Sequence, residues 1–597
     1  MQSSEHLEAQ YNDWLLVKRL ARYLIQHRLL FFFALALYPC MALAVALPPY
    51  LVREVLDEII PAKDLRALWV FGGLYLGALL TEYVAGFLSA FTMAVLGQRS
   101  MRSLRNELFE KVLRLPASFY DKNPVGRTLT RLTNDIDALG EVFSSGAISI
   151  VGDVITLVFI LTGMLLLDVR LTLLALLVLP PMLFTSLVFR IFARRAFRSI
   201  RHYLAKINSF LAEHITAMNV IQNFNQQERT CSEFSELNGA YRNSNRRAII
   251  FDAMLFAIVE AIGTSAVAII LWSGSHDMTS GVLGAGTLIA FAHLIRRFFI
   301  PLRDLSTKYT VLQSAFAAAE RIFLLYDEPV TIQSPSKGKS ISNIADAIEF
   351  RDVSFRYRTE NPDDPWIIES LNLKVHKGER VALVGHTGCG KTTILKLLNR
   401  TYDIVQGSLM VDGTDIRDYK LQELRSLFTV VLQDVHLFAG TILENLQLGV
   451  KVGEEDAKKA IDLIGAKEMV DKMQGGFGAK VEELGTNLSA GERQVIALAR
   501  ALACNPEILV LDEATSNIDS ETEAFIQQAL ELLLKDRTCV IVAHRLSTIQ
   551  KADRIIVLDK GKIVEEGTHD SLMAKDALYK RFVQLHHASQ LSQHSAA

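Results

Sequence analysis

The sequence predicts two unlike parts, an α-helical membrane domain in the first half of the chain and an α/β domain in the second half. Long apolar runs dominate before about Phe323, whereas the composition after about Ile348 is that of a soluble α/β protein. Between these parts, the stretch Thr331–Asn343 is polar and rich in helix breakers, which is typical of a linker. These three observations predict a membrane domain joined to a separate α/β domain.

Six apolar runs in the first half are long enough to cross a bilayer, since a helix needs about 20 apolar residues to do so. They are Leu29–Val52, Ala67–Leu96, Val142–Leu167, Leu171–Phe192, Ile249–Trp272 and Val282–Pro301. The last run is the weakest because Arg296 and Arg297 interrupt its end. So many long apolar runs would be unusual in a soluble core, and the spans that follow the first run show that it is no removable signal peptide.

Basic residues predict how these spans are oriented. The connections after the second and fourth runs are rich in Lys and Arg, whereas the connection SGSHDMTSGVL after the fifth run has neither. Because cytoplasmic loops carry the excess of basic residues, the two long connections and both termini are expected in the cytoplasm. The stretch Trp14–Arg28 is basic and amphipathic. We expect it to lie along the inner membrane surface, and an ordinary surface helix is the alternative.

Charge and cysteine content narrow the partners and the compartment. The 597 residues carry a formal net charge of −2, so no nucleic-acid partner is expected. The cysteines show neither metal-ligand nor redox spacing, which predicts free thiols in a protein that faces the cytoplasm. They are Cys40, Cys231, Cys389, Cys504 and Cys539.

The stretch VGHTGCGKTT, Val384–Thr393, fits the phosphate-loop pattern Gly-x-x-x-x-Gly-Lys-Ser/Thr. A predicted strand, Arg380–Val384, precedes it and a predicted helix follows it, which is the context that the pattern requires. Glycines let the backbone N–H groups converge on phosphate oxygens, Lys391 adds a charge for the β- and γ-phosphates, and Thr392 offers a hydroxyl to Mg²⁺. The predicted ATP-binding residues of the loop are Gly385, His386, Thr387, Gly388, Cys389, Gly390, Lys391, Thr392 and Thr393.

Two carboxylates follow another buried strand. The apolar run Ile508–Leu511 ends in Asp512 and Glu513. Because an unpaired buried charge is costly, two acids in this position indicate a functional site. Asp512 is expected to hold Mg²⁺, directly or through water, and Glu513 is expected to orient or deprotonate the water that attacks ATP.

Three further side chains suit the same site, although each alone would more often be structural. Gln433 follows an apolar strand, and its amide oxygen could reach Mg²⁺ and the attacking water. His544 follows the apolar strand Thr538–Ala543 and could bind a γ-phosphate oxygen. Tyr357 is placed to stack on an adenine ring. The predicted catalytic residues are Lys391, Gln433, Glu513 and His544, and the predicted metal ligands are Thr392, Gln433 and Asp512.

The stretch LSAGERQ, Leu488–Gln494, resembles the signature sequence of ATP-binding cassette (ABC) exporters, usually written LSGGQ. With the motifs above in family order, the chain resembles an ABC exporter half-transporter. Ser516–Asp519 resembles the loop that crosses the dimer interface, and Glu483–Gly485 resembles an acidic-glycine element typical of exporters. The segments Phe119–Asp137 and His214–Glu228 resemble the two cytoplasmic coupling segments.

The resemblance implies a fold and an assembly. It implies six transmembrane helices of exporter type fused to an α/β P-loop nucleotide-binding domain, with boundaries at 1–325, 326–346 (linker), 347–585 and 586–597 (tail). It also implies that ATP lies between the phosphate loop of one subunit and Ser489, Gly491 and Glu492 of another. Because Ala490 replaces the first signature glycine, a heterodimer is slightly favoured over a homodimer, and both remain open.

The implied function is ATP-driven export of hydrophobic or amphipathic substrates (drugs, lipids or peptides) by alternating access, in a bacterial inner membrane. The alternatives are an ATP-gated channel or regulator on the same fold, or a specific lipid flippase. Ionisable residues inside spans are candidates for a substrate cavity. They are Glu82, Asp252, Glu260 and His293.

Overall fold

The computed structural model divides the chain into two compact units. One comprises Met1–Val112 and Gly126–Asp327, and the other comprises Leu113–Val125 and Glu328–Ala597. The short stretch Leu113–Val125 therefore clusters with the second unit, although it lies within the first half of the sequence. The residues that the structure describes are 12–143, 147–279, 283–357, 364–448, 452–512, 520–542, 546–575 and 577–585.

The first half of the chain is built from helices. They are α1 (Asp13–Ile25), α2 (Arg28–Glu54), α3 (Ile60–Ala62), α4 (Leu65–Leu113), α5 (Ala117–Lys122), α6 (Val125–Thr130), α7 (Ile136–Glu141), α8 (Ala147–Leu167), α9 (Val169–Leu176), α10 (Leu179–Thr216), α11 (Met218–Asn223), α12 (Gln227–Thr279) and α13 (Ala285–Tyr326). The π-helical turns Val55–Ile59 and Arg131–Asp135 join α2 to α3 and α6 to α7. Of these elements, α5 belongs to the second unit.

Four helical stretches among the described residues are long and apolar enough to cross a membrane. They are Arg28–Ala62, Leu65–Leu113, Ser149–Leu167 and Gln227–Met278, and they contain most of the first, second, third and fifth predicted spans. The fourth predicted span is not one continuous helix, because α9 ends at Leu176 and α10 begins at Leu179. Pro180 and Pro181 occupy the first turn of α10, where a missing N–H group needs no helical partner. The predicted count of six is therefore not confirmed.

Helix α13 is held by ion pairs to several other elements of the first unit. Arg297 Nη1 lies 3.1 Å from Glu82 Oε2 on α4 and donates to the carbonyl oxygen of Val45 at 2.8 Å. Lys308 pairs with Asp153 of α8. Glu82, predicted as a substrate-cavity candidate, therefore has a cationic partner, and that pairing explains how an arginine is accommodated near the end of the sixth predicted span.

Helix α1 is amphipathic, as its sequence predicts. Leu16 and Leu20 are buried on one face, whereas Trp14 is 74% exposed. Tyr23 anchors the buried face, because its hydroxyl donates to Glu107 Oε2 of α4 at 2.8 Å. The buried face thus packs on other helices of the unit, and its placement at a membrane surface stays a prediction.

The second unit contains all of the strands among the described residues. They are β1 (Ala347–Phe355), β2 (Ile368–His376), β3 (Arg380–Val384), β4 (Gln406–Val411), β5 (Thr414–Asp415), β6 (Phe428–Val431), β7 (Gly440–Thr441), β8 (Lys480–Val481), β9 (Ile508–Asp512), β10 (Thr538–Val542), β11 (Arg554–Asp559) and β12 (Lys562–Gly567). The helices are α14 (Lys391–Leu398), α15 (Leu421–Ser426), α16 (Ile442–Leu446), α17 (Glu454–Ile464), α18 (Lys467–Lys472), α19 (Ala490–Ala503), α20 (Ser520–Leu534), α21 (Leu546–Gln550) and α22 (His569–Ala574).

A six-stranded sheet forms the centre of this unit. Its strand order is β12-β11-β3-β10-β9-β6, and only β12 runs antiparallel to its neighbour. Alternate residues of β3 enter two different cores, Ala382 and Val384 on one face and Val381 and Leu383 on the other. A four-stranded antiparallel sheet, β2-β1-β4-β5, belongs to the second of these cores. The predicted α/β domain is confirmed.

The segment predicted as a linker is bound to the second unit. Ser334 Oγ accepts a hydrogen bond from Leu421 N at 3.1 Å, and Lys339 N donates to Asp418 O at 2.9 Å. Ile341 N donates to Glu423 Oε2 at 3.0 Å. The linker is therefore anchored along its length, while the predicted domain boundaries stay predictions and the tail from residue 586 lies outside the described residues.

Candidate active site

Four parallel strands bring most of the predicted site residues to one edge of the sheet. In the order β3, β10, β9 and β6, Leu383 pairs with Val542, Val542 pairs with Asp512, and Leu511 pairs with Val431. Because the carboxyl ends of parallel strands share an edge, the phosphate loop, Asp512 and the segment before Gln433 meet there. Gln433 is exposed, two residues beyond β6. Glu513 is the first residue after β9 and His544 is the second residue after β10, and both lie outside the described residues.

The phosphate loop connects β3 to α14 in a conformation that needs glycine. Gly385 has φ +155° and Gly390 has φ +106°. At Gly385 a Cβ atom would overlap the carbonyl oxygen of Leu558 and lie 2.7 Å from Cys389 Sγ. The loop is therefore closed from behind by β11 and leads directly into the first turn of α14, where free backbone N–H groups favour an anion.

Lys391 is fixed within this loop. Its Nζ donates to Gly385 O at 2.7 Å and to His386 O at 3.0 Å, and the residue is only 8% exposed. Cys389 Sγ lies 3.8 Å from the same nitrogen. An ammonium group held in this way brings a positive charge to the loop, which fits the binding of a polyphosphate.

Thr392 and Asp512, two of the predicted metal ligands, are in contact. Thr392 Oγ1 donates to Asp512 Oδ2 at 3.2 Å, and Asp512 is 8% exposed. Hydroxyl and carboxylate oxygens are ligands that suit Mg²⁺. The residues therefore fit the predicted metal, with Gln433 as the third predicted ligand.

Substituting Gly385 with alanine is expected to weaken ATP binding at least tenfold, because the new Cβ would push the loop away from Leu558. The measurement is equilibrium binding of a fluorescent ATP analogue. Gly413→Ala is the matched control, since Gly413 also has positive φ (+73°) but a Cβ there would meet no atom within 4 Å. Equal ATP affinity of Gly385→Ala and the wild type would contradict this role of Gly385.

Tyr357, the predicted adenine-stacking residue, packs on the helix that follows the phosphate loop. Its hydroxyl lies 3.0 Å from Thr393 Oγ1, and Lys396 Nζ lies 5.3 Å from its ring centroid. Phe355 and Tyr402 meet the ring edge-to-face, with centroids at 5.1 Å and 5.2 Å. The half-buried ring is thus held in a fixed orientation beside α14, which suits a stacking platform.

Tyr402 is a residue that the sequence did not single out. Its hydroxyl donates to Asp121 of α5, in the segment predicted as the first coupling segment. Burial and this bond to Asp121 raise the pKa of Tyr402, so the hydroxyl keeps the proton that it donates. Tyr402 therefore touches Tyr357 with its ring and α5 with its hydroxyl.

The signature stretch begins helix α19. Ser489 is its N-cap and forms a capping box with Glu492: Glu492 N donates to Ser489 Oγ at 3.2 Å, and Ser489 N donates to Glu492 Oε2 at 2.7 Å. Gly491 is buried in the first turn. Arg493 Nη1 donates to Gly485 O at 3.2 Å and to Leu488 O at 2.6 Å, which ties the preceding acidic-glycine element to the signature.

Comparison with known protein families agrees with this arrangement. A model of the ABC transporter transmembrane region matches residues 30–302, and a model of the ABC transporter family matches residues 368–516. The chain belongs to the ABC transporter family. This ABC transporter therefore carries a membrane part and an ATP-binding part on one chain, and it is a multi-pass integral membrane protein whose ATPase activity is coupled to transport.

Several bacterial proteins are similar to this ABC transporter over most of its length. The uncharacterized ABC transporter ATP-binding protein YknV of Bacillus subtilis (strain 168) is 36% identical over 594 residues, which cover 98% of this chain and 97% of that protein. A second relative from the same organism is the probable multidrug resistance ABC transporter ATP-binding/permease protein YheH. It is 36% identical over 522 residues, which cover 86% of this chain and 76% of that protein. An ATP-dependent lipid A-core flippase of Syntrophus aciditrophicus (strain SB) is 33% identical, with coverage of 93% and 92%.

Proposed function

We propose that this ABC transporter is an exporter of hydrophobic or amphipathic substrates that works as a dimer of half-transporters. The observation that carries the proposal is the joint presence of Lys391, Thr392 and Asp512 at one sheet edge, in a chain with a fused membrane part. A channel or regulator on the same fold would be expected to lose such groups. Relatives named for multidrug export and for lipid A-core flipping support an amphipathic cargo, and a lipid flippase is the second candidate.

Each predicted site residue has a place in this proposal. Lys391 binds the β- and γ-phosphates, Tyr357 stacks on adenine, and Glu513 and His544 act on the attacking water and the γ-phosphate. Thr392, Gln433 and Asp512 would hold Mg²⁺, which neutralises charge on the phosphate oxygens when bound.

The phosphate loop and the signature stretch lead into helices on different faces of the sheet, and this supports a dimer. Helix α14, which follows the loop, packs in one core through Ile394 and Leu395, whereas α19 packs in the other core through Val495 and Ile496. The two helices thus cover opposite faces of the central sheet. We infer that Ser489, Gly491 and Glu492 complete the ATP site of a second subunit, so that ATP holds two subunits together until it is hydrolysed.

Alternating access follows from that closure. ATP-driven closure of two nucleotide domains would pull the coupling segments, including α5, and swing the spans from inward-open to outward-open. In this proposal the nucleotide domain and both termini face the cytoplasm of a bacterial cell, as the basic connections predict.

The test is transport of a panel of dyes and lipids into inside-out vesicles that contain the wild-type chain or Glu513→Gln. We expect ATP-dependent accumulation only with the wild type, while Glu513→Gln binds ATP but does not turn it over. Hydrolysis by Glu513→Gln at the wild-type rate would refute the role of Glu513. ATP turnover without transport of any member of the panel would argue against this substrate class.

Ala490 raises the question of the partner, because a methyl group stands where the family signature has its first glycine. We propose a heterodimer with a second half-transporter, in which the site that contains Ala490 is the weaker one. The measurement is ATPase activity and oligomeric state of the chain purified alone. A stable homodimer with robust ATPase activity would argue against an obligate partner.

Tyr402→Phe is expected to reduce substrate stimulation of the ATPase several-fold while ATP affinity changes less than twofold. The phenylalanine keeps the ring contacts with Tyr357 but loses the bond to Asp121, and a hydrogen bond to a charged group contributes about 1.5–3 kcal/mol. Tyr419→Phe is the matched control, because the Tyr419 hydroxyl donates to Val411 O, within the same domain. If substrate stimulates the ATPase of Tyr402→Phe as strongly as that of the wild type, the bond between Tyr402 and Asp121 does not contribute to coupling.

A further inference from the structure

The second unit contains a cavity of about 620 Å³ that belongs to none of the motifs described above. Its walls come from Leu113–Ala117, which lead from α4 into α5, from the linker between Val330 and Ser334, and from one face of α15. No lining residue belongs to the phosphate loop or to the signature. The volume lies within the range of about 300–1,000 Å³ that is usual for small-molecule sites.

The cavity is electropositive. Arg114 and Arg425 line it, and none of the described lining residues is acidic. Asp403 lies two residues after the lining Thr401. Its Oδ1 is paired with Arg400 Nε at 2.7 Å. Glu423 of α15 pairs with Lys420 at 3.1 Å. These two acids are therefore each paired with a cation of their own segment.

Arg425 is held in place by the backbone. Its Nη2 donates to Arg400 O at 3.0 Å and its Nε lies 3.4 Å from Asn399 O. Burial and the neighbouring Arg400 charge lower the pKa of Arg425, and together they outweigh the opposing effect of the Asp403 carboxylate. An arginine fixed in this way is pre-organised for a planar bidentate contact with phosphate or carboxylate.

The remaining walls divide into apolar and neutral polar parts. Leu115, Pro116, Ala117 and Ile332 provide apolar surface, and the linker and α15 add neutral polar side chains. We propose that this cavity binds an organic anion with one phosphate or carboxylate group and a short apolar body. The anionic group meets Arg425 and Arg114, and the apolar body lies against the turn before α5.

The test measures binding of hexyl phosphate, inorganic phosphate and 1-hexanol to the full chain in nanodiscs by calorimetry, with the ATP site saturated by a non-hydrolysable ATP analogue. We expect hexyl phosphate to bind at least tenfold more tightly than either of the other two probes. Arg425→Gln should weaken that binding at least tenfold, whereas Arg351→Gln, an exposed arginine that pairs with Glu349, should not. Protein-free nanodiscs correct for partitioning of the probe.

A second variant removes space rather than charge. Gln333→Trp places a large side chain at the exposed linker wall and is expected to abolish hexyl phosphate binding, while unchanged binding of the ATP analogue verifies the fold of each variant. Nanodiscs with added phosphatidic acid distinguish the source of the anion. If phosphatidic acid competes with hexyl phosphate, the anion is a lipid headgroup, and if it does not compete, the anion is a soluble ligand. Equal affinity of the wild type, Arg425→Gln and Gln333→Trp for hexyl phosphate would overturn the proposal. So would wild-type binding of inorganic phosphate as tight as that of hexyl phosphate.

Discussion

Replacing Lys391 with alanine is expected to lower the ATP turnover number about a hundredfold. The loss of one well-placed donor to a transferring group costs about 3 kcal/mol of transition-state stabilisation, which is roughly two orders of magnitude in rate. Lys391 meets the condition for such an effect, because the carbonyl oxygens of Gly385 and His386 fix its ammonium group and the residue is almost fully buried. The measurement is steady-state phosphate release at saturating ATP.

The control for this prediction is Lys377→Ala, which removes an exposed lysine from the turn before β3. It should leave turnover unchanged, and both variants should melt at the wild-type temperature within a few degrees. ATP affinity is measured separately, because loss of binding alone would raise KM without lowering turnover. Turnover of Lys391→Ala above one third of the wild-type value would contradict the role given to this ammonium group.

The parts of the site that depend on local sequence could be predicted. Glycine spacing determines where the backbone takes positive φ, and an apolar run that ends in acids places Asp512 at a strand end, next to the loop. The serine at the start of an apolar periodic run likewise predicts the N-cap of α19. In each case the residues that decide the geometry lie within about one turn or one strand of each other.

Contacts between distant segments could not be predicted in this way. Tyr402 and Asp121 are 281 positions apart, and their contact depends on how α5 packs in the second unit. Glu82 and Arg297 are 215 positions apart, so each looked like an isolated charge in an apolar run. A single sequence carries no signal for such pairs, so the sequence alone predicts Glu82 as a cavity candidate without revealing its partner.

Glu82→Gln is expected to lower the free energy of unfolding of the membrane domain by about 2 kcal/mol, between the values typical of exposed and of buried ion pairs. The side chains of Glu82 and Arg297 are 25% and 28% exposed, so the ion pair is partly buried and removal of one partner leaves the other charge uncompensated. Glu260→Gln is the matched control, since Glu260 is an exposed acid on α12, also within a predicted span. It is expected to cost less than about 0.5 kcal/mol, as surface substitutions usually do.

The double variant Glu82→Gln/Arg297→Gln decides between an ion pair and a substrate group. If the pair is structural, the second substitution removes the stranded charge and restores most of the lost stability, and transport returns with it. If Glu82 instead contacts the substrate, Glu82→Gln changes the order of preferred substrates without loss of stability, and Arg297→Gln does not reverse that change. Unfolding in nanodiscs and transport in vesicles, measured on the same four proteins, give the coupling energy and the specificity together. Additive stability changes in the four proteins would show that the 3.1 Å contact makes no net contribution, because a coupled pair must lose less from the second substitution than from the first.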